Sequence, residues 1–244
     1  KSDAIWILSD ENLCVFNQEK MEFQPFSLHS AQNHSLAAAS SLHITDNNEL
    51  YIGLNNKLAI INSARNSIQF FQAPDKNTNS VNDFRCILVD GNQVWIGSRS
   101  SGLMRFTLAN GQFEYTANQA NAQYLIPNNN IRSIAKDGKG NLWLASHEGG
   151  LSRINFATNA IKNYHPQEKT THFTRHLWSL LIDSNGQLWV GSDGDGLLGY
   201  DETRDDFLAY KNDVINATSI ASNKAMSLLE DSDGNIWVSL YPSG

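Results

Sequence analysis

Apolar residues in this chain come in short runs broken by small clusters of Asp, Asn, Ser and Gly, and one unit keeps returning. In SLLIDSNGQLWVGS, residues 179–192, an apolar run ends at Asp183, a turn follows at Asn185-Gly186, and a second run carries Trp189 before Gly191 and Ser192. This predicts a β-hairpin, with Asp183 bonding forward into the turn and Gly186 taking a positive φ. Copies read SLLEDSDGNIWVS (227–239), SIAKDGKGNLWLAS (133–146) and CILVDGNQVWIGS (86–98). LHITDNNELYIG (42–53) has Tyr51 in place of Trp, and AIWILS (4–9) is a second half alone. The anchors Trp6, Tyr51, Trp95, Trp143, Trp189 and Trp237 are spaced by 45, 44, 48, 46 and 48 residues, by subtraction. Strand-built repeats with a period in the forties predict an all-β fold, a β-propeller of four-stranded antiparallel blades.

Each full repeat offers four strand-like runs, here called A, B, C and D, clearest at 131–137, 142–145, 151–155 and 161–164. The expected organisation is a partial blade at 1–38, blades at about 39–83, 84–130, 131–176 and 177–224, and a partial blade at 225–244. Both partial repeats carry a B strand, so they cannot merge into one blade. The expectation is a segment of a larger ring cut from a longer polypeptide, seven blades being the first choice among the usual numbers. The B-strand aromatics are expected to fill the wedge between neighbouring sheets. Trp178 is the exception, standing near the start of an A strand where other repeats have Arg85, Arg132 and Met226.

Composition narrows the partners. The 244 residues are 41% hydrophobic and 10% aromatic, enough for a sizeable core, and the net charge of −7 comes without any basic stripe, which argues against nucleic acid. No apolar run has the length of a membrane-spanning helix, so direct membrane insertion is not expected in this segment. Cys14 and Cys86 lie at different places in their repeats and read as buried or half-buried thiols.

Because strand direction alternates, B-to-C turns and D-to-A connections must emerge at one end of the blades and the A-to-B and C-to-D turns at the other. The A-to-B turns are short and alike; the D-to-A connections at 72–83, 116–130, 165–175 and 211–224 are long and dissimilar. Variable loops held on a scaffold are where recognition is expected. That end carries Asp10, Glu11, Asn55, Asn56, Arg99, Ser100, His147, Glu148, Asp193, Asp195 and Tyr241, with Arg85, Arg132, His176 and Trp178 at the A-strand starts. The ligand-binding candidates are Arg85, Arg99, Arg132, His147, Glu148, His176, Trp178, Asp193 and Asp195: arginine grips carboxylates or hydroxyls, and an indole stacks on a sugar face.

Neither a metal nor a cofactor is expected. Asp231-Ser232-Asp233-Gly234-Asn235 imitates the start of a calcium loop, but Pro242 stands where the bidentate glutamate is required, so a turn is expected instead. His172 and His176 have a zinc-pair spacing for a helix, but Thr170, Thr171, Phe173 and Thr174 around them favour extended chain. There is no nucleophile elbow or phosphate loop. His147-Glu148 could act as acid and base, and a propeller enzyme of polysaccharide-lyase, glycoside-hydrolase or antibiotic-lyase type is the alternative reading.

The motif D-x-x-G-N-L-W-L-A/G-S followed by G-G-L, seen from Asp137, Asp183 and Asp231, resembles the two-component regulator propeller repeat. That resemblance implies a non-catalytic, periplasmic sensor: the extracytoplasmic input part of an inner-membrane signalling protein with a histidine kinase or diguanylate cyclase output. The partners it implies are an oligosaccharide or small-molecule ligand, the following domains of the same polypeptide and a second copy in a homodimer. The repeat motif is structural, so no ligand residue transfers from it.

Overall fold

The computed structural model describes residues 4–8, 13–26, 36, 38–74, 82–118, 124–164 and 174–242. Among them there is no helix, only strands joined by turns, and they divide into two compact units, Lys1–Tyr115 and Thr116–Gly244. In the first unit, β1 (Trp6–Leu8), β2 (Leu13–Asn17) and β3 (Glu22–Pro25) form a three-stranded sheet. β4 (Ser41–Ile44), β5 (Leu50–Leu54), β6 (Lys57–Ile61) and β7 (Ile68–Gln72) form a four-stranded one. The next meander is β8 (Phe84–Asp90), β9 (Gln93–Ser98), β10 (Leu103–Thr107) and β11 (Gln112–Asn118). The second unit begins within β11, at Thr116, and there Ala117 and Asn118 pair parallel with β12 (Tyr124–Leu125). It continues with β13 (Ile131–Lys136), β14 (Asn141–Ser146), β15 (Gly150–Asn155) and β16 (Ala160–Tyr164), then β17 (Leu177–Ile182), β18 (Leu188–Ser192), β19 (Leu197–Asp201) and β20 (Asp206–Tyr210), and closes with β21 (Ala225–Glu230) and β22 (Ile236–Leu240). Apart from β12, strands lie beside their sequence neighbours in each sheet, in the order A-B-C-D in the four complete meanders, B-C-D in β1–β3 and A-B in β21–β22.

The recurring hairpin has a specific chemistry. One oxygen of Asp137 accepts the amides of Lys139 and Asn141 at 3.0 and 2.9 Å, while the other accepts the indole N–H of Trp143 at 2.9 Å. Asp183 does the same for Asn185, Gln187 and Trp189, and Asp231 for Asp233, Asn235 and Trp237. The turn glycines Gly140, Gly186 and Gly234 have φ of 79, 82 and 81°, the left-handed region that a bare Cα enters without penalty. The calcium-like stretch is therefore a turn, its first carboxylate already committed to backbone and indole.

Each unit buries its apolar faces between successive sheets. Tyr51, Leu58, Phe84, Val94, Ile96, Met104 and Phe106 form one core of the first unit, and Leu13, Leu50, Ile52, Ala59 and Ile61 another. In the second unit Trp143, Leu151, Tyr164, Leu177, Leu188, Val190 and Leu198 pack together. Trp95 and Trp143 are 3% and 1% exposed, as the wedge argument requires. Trp237 departs from it at 62% exposure, because no described sheet lies against the outer face of β22.

Successive blades also approach through backbone. A Cβ on Gly53 would stand 2.4 Å from the Phe84 carbonyl, and one on Gly191 2.7 Å from that of Ala225, so glycine there lets the next A strand come close. Between β13–β16 and β17–β20 a polar clamp adds to the packing. Asp205 accepts from Tyr164 and Tyr200 at 2.6 and 2.5 Å, pairs with Arg153 at 3.2 Å, and is bonded by Lys162. Partial burial works to raise its pKa, but the bonds from Lys162, Tyr164 and Tyr200 and the charge of Arg153 outweigh it and bring the carboxyl to about 2.

Two outcomes follow for stability. Asp137→Ala leaves the buried Trp143 indole N–H without its acceptor and lowers the unfolding free energy by about 1–3 kcal/mol in urea titration; Asp231→Ala, whose indole partner is exposed, shifts the midpoint much less. For pH, the folded Asp205 carboxyl near 2 lies below the ordinary carboxylate value of about 3.9. In that window the unfolded chain binds more protons, so this stabilisation is complete above about pH 4 and fades as pH falls toward 2. Acid unfolding followed by circular dichroism is expected to be shallower for Asp205→Asn over that interval than for the parent chain.

Candidate functional site

The B-to-C turns are built alike in three blades. The buried hydroxyls of Ser98, Ser146 and Ser192 donate to the carbonyls of Gly102, Gly150 and Gly196 at 3.1, 3.0 and 2.9 Å, and those glycines have φ of 77, 72 and 73°. The serine that closes each B strand is thus the lock of the turn, a role sequence reading missed although its recurrence after the tryptophan was visible. Locked this way, each turn presents the residues after the serine, Arg99-Ser100, His147-Glu148 and Asp193-Gly194, at fixed positions.

Backbone bonds tie these turns to the D-to-A connections, so the two sets do share one end of the blades. Arg99, His147, Asp193 and Tyr241 donate their amides to the carbonyls of Asp83, Asn130, His176 and Lys224 at 2.9, 2.9, 2.9 and 3.0 Å, extending the A–B ladder past the strand ends. Toward the following blade, Asn56 donates to Asn82, Gly150 to Arg175, and Gly194 and Gly196 to Asn223. The expected residues Asp10 and Glu11 lie outside the described residues, as do 75–81, 119–123 and 165–173 of the D-to-A connections and therefore His172.

Four A strands carry a β-bulge at their second residue. The register shifts between Phe84 and Cys86, Ile131 and Ser133, Leu177 and Ser179, and Ala225 and Ser227. The bulged residues are Arg85, Arg132, Trp178 and Met226, all singled out in the sequence, and each follows a buried apolar anchor. A bulge inserts one residue outside the in–out alternation and re-aims its side chain. In the second unit the Arg132 guanidinium lies 3.8 Å from the centre of the Trp178 ring, so the two bulges of adjacent blades form a cation–π pair. That indole face is covered by the guanidinium rather than open for stacking, while the indole N–H is buried and makes no hydrogen bond among the described residues.

Several expected contacts are committed to the protein itself. Asp195, 14% exposed at its side chain, accepts the Thr174 amide and pairs with Lys211 at 2.5 Å, and Asp193 pairs with Lys224 at 3.0 Å. In the first unit Arg99 pairs with Asp83 at 3.5 Å, and burial, with the nearby Arg99 charge, lowers the pKa of the Arg85 guanidinium. Burial pushes the Cys86 thiol up to about 12, leaving it a protonated packing group. By contrast His147, Glu148 and His176 come together: the imidazole centres are 5.0 Å apart and His147 Nδ1 is 4.0 Å from Glu148 Oε1. Glu148 has φ of 65°, a left-handed conformation uncommon outside glycine and asparagine. Two clefts lined wholly by described residues lie away from this end. One of about 420 Å³ sits at the A-to-B turns among Asp137, Lys139, Trp143, Gln187 and Tyr200, and one of about 340 Å³ is lined by Asn141, Arg153, Thr158 and Lys162.

Four-stranded antiparallel meanders repeated along the chain, each with an aromatic on its second strand and, within each unit, successive sheets packed against one another, are those of a β-propeller. Residues 125–148, 174–194 and 219–241 match the family described as two component regulator propeller. Those three stretches, each spanning one copy of the turn-and-tryptophan hairpin or its approach, are what this chain shares with that family's repeat. Among solved structures it is similar to the extracellular domain named for the hybrid two component system BT3049 from B. thetaiotaomicron, at 18% identity and a TM-score of 0.77, over 99% of this chain and 31% of that one. PorZ of the type-IX secretion system of Porphyromonas gingivalis matches at 17% identity and TM-score 0.70, over 97% of this chain and 36% of that one. Virginiamycin B lyase from Staphylococcus aureus matches at 15% and 0.62, over 82% and 62%. At these identities the likeness is one of fold, and this chain spans less than two thirds of each of those structures. Comparison with curated proteins finds no match.

Asp195 is expected to hold the connections rather than a ligand. Asp195→Asn loses the charge that pairs with Lys211, and amide hydrogen exchange at 174–176 and 211–213 is expected to accelerate while exchange in β17 and β18 stays unchanged.

Proposed function

We propose that this chain is the non-catalytic, ligand-sensing part of a bacterial transmembrane signalling protein, held outside the cytoplasm. The observation that carries the reading is the match of its repeats to the two component regulator propeller family, in a chain whose chemically varied side chains gather where the irregular connections emerge. The rest of the polypeptide supplies the remaining blades of a seven-bladed ring, the following domains with their membrane span and cytoplasmic output, and pairing of two copies.

The ligand class is an oligosaccharide, read at the end carrying the B-to-C turns and D-to-A connections. Arg132, held in place by stacking on Trp178 in the second unit, and Arg85 and Arg99 in the first, bring guanidinium groups to this end, the planar donors that sugar hydroxyls and carboxylates accept from. A thermal-shift screen of defined oligosaccharides tests this. A cognate sugar at about 100 times its Kd stabilises by about 2.7 kcal/mol through mass action, and Arg132→Ala or Trp178→Ala removes the shift. Mass spectrometry of the same mixtures is expected to show the sugar intact; cleaved product would instead favour the propeller-enzyme reading, with His147 and Glu148 as acid and base.

A further inference from the structure

The first residue of a B-to-C turn sits beside the residue that opens strand A of the following blade, and in the second unit this juxtaposition occurs twice. Between the blades of β17–β20 and β21–β22 it is filled by Asp193 and Lys224, bridged through backbone and ion-paired at 3.0 Å. Between the blades of β13–β16 and β17–β20 the same place holds His147 and His176, with Glu148 beside them. An acid and a base neutralise one another there; two imidazoles and a carboxylate present three lone-pair donors to a common point.

We infer that His147, Glu148 and His176 form a binding site for a first-row divalent cation of the zinc class, with the remaining coordination position open to solvent or ligand. One ligand atom from each residue lies within 4.8 Å of the other two. Three points so spaced lie at most about 2.8 Å from a common centre, against zinc–nitrogen and zinc–oxygen distances of about 2.0–2.2 Å. Small side-chain rotations close that gap, and the backbone supporting them is already fixed. The His147 amide is bonded to Asn130, the His176 carbonyl accepts from Asp193, and Gly150 donates to Arg175, each at 2.9–3.0 Å. Close packing of Gly149, where a Cβ would fall 2.4 Å from Ser146 Oγ and 2.6 Å from Asn128 Cβ, and the left-handed Glu148 hold the turn in this shape.

The donor set chooses the ion. Two imidazoles with one carboxylate suit zinc, cobalt or nickel, whereas magnesium and calcium prefer shells made of oxygen. A three-residue set keeps a position free, as in sites where the metal meets a further ligand rather than staples the fold. The inference does not depend on the sensory reading, since a cation would bind here whether or not a sugar does.

The test is titration of the chelator-treated chain with zinc chloride by isothermal calorimetry, alongside magnesium chloride, and with cobalt chloride by visible absorption. Expected are one zinc equivalent, no magnesium heat, and cobalt d–d bands of a site with nitrogen and oxygen ligands. His147→Asn and His176→Asn are expected to weaken zinc binding on the order of 100-fold and Glu148→Gln on the order of 10-fold, with unchanged circular dichroism and melting temperature in the absence of metal. Absence of zinc binding in the micromolar range, or binding undiminished in the two histidine variants, would overturn the inference. A parallel sugar titration with and without zinc distinguishes failure of this site from failure of the sensory reading.

Discussion

The structure depends on a carboxylate that serves two masters. In Asp137, Asp183 and Asp231 one oxygen gathers the amides of the A-to-B turn and the other holds an indole N–H one strand later. The turn therefore cannot slip without releasing the tryptophan, and the tryptophan cannot rotate without exposing an unsatisfied amide or indole. A one-residue slip would reverse every side chain of the sheet, so this coupling sets which face of each blade is apolar. The worn repeat shows the coupling by its exception. Where Tyr51 replaces the tryptophan, Thr45 replaces the capping role by accepting the Glu49 amide at 3.1 Å, and the phenol turns to Glu49 at 3.4 Å. Burial, then the charge of the Glu49 carboxylate and the hydrogen bond to it, push that phenol up to about 12.

The two ends of the blades divide the work. At the A-to-B end, near-identical turns fix register, and the Asp205 clamp joins two blades through tyrosines, Arg153 and Lys162. At the other end, the hydroxyls of Ser98, Ser146 and Ser192 fold three B-to-C turns onto left-handed glycines and leave the next side chains unconstrained in type. The neighbours those side chains meet then decide their use: Asp193 and Asp195 are consumed in ion pairs, while His147, Glu148 and His176 form a cluster of donors.

Much of the fold was legible because repetition amplifies a weak local signal. One hairpin with an Asp, a turn glycine and a tryptophan is unremarkable; several at a steady period fix strand type and order, and β14 falls within a residue of the expected 142–145. What sequence could not show was packing against a partner outside the repeat. Trp237 carries the same motif as Trp143, yet one indole is exposed and the other buried, since exposure depends on the neighbouring sheet. At the site, the end of the blades was legible from strand alternation, but the pairing of His147 with His176 was not. They are separated by two strands and a connection, and the only spacing visible in sequence pointed from His176 to His172. The Arg132–Trp178 stack was hidden for the same reason, because it joins equivalent positions of adjacent repeats.

The bulges at Arg85, Arg132, Trp178 and Met226 have a consequence for how such a protein can diverge. A residue inserted outside the alternation owes nothing to either surface of the sheet, so its identity is uncoupled from the hydrophobic code that the strand before and after it must obey. Cation, aromatic ring and thioether have all been accommodated there on the same backbone. The A strands thus each hold one interchangeable letter, and new chemistry can be written into one blade at a time without respelling the fold.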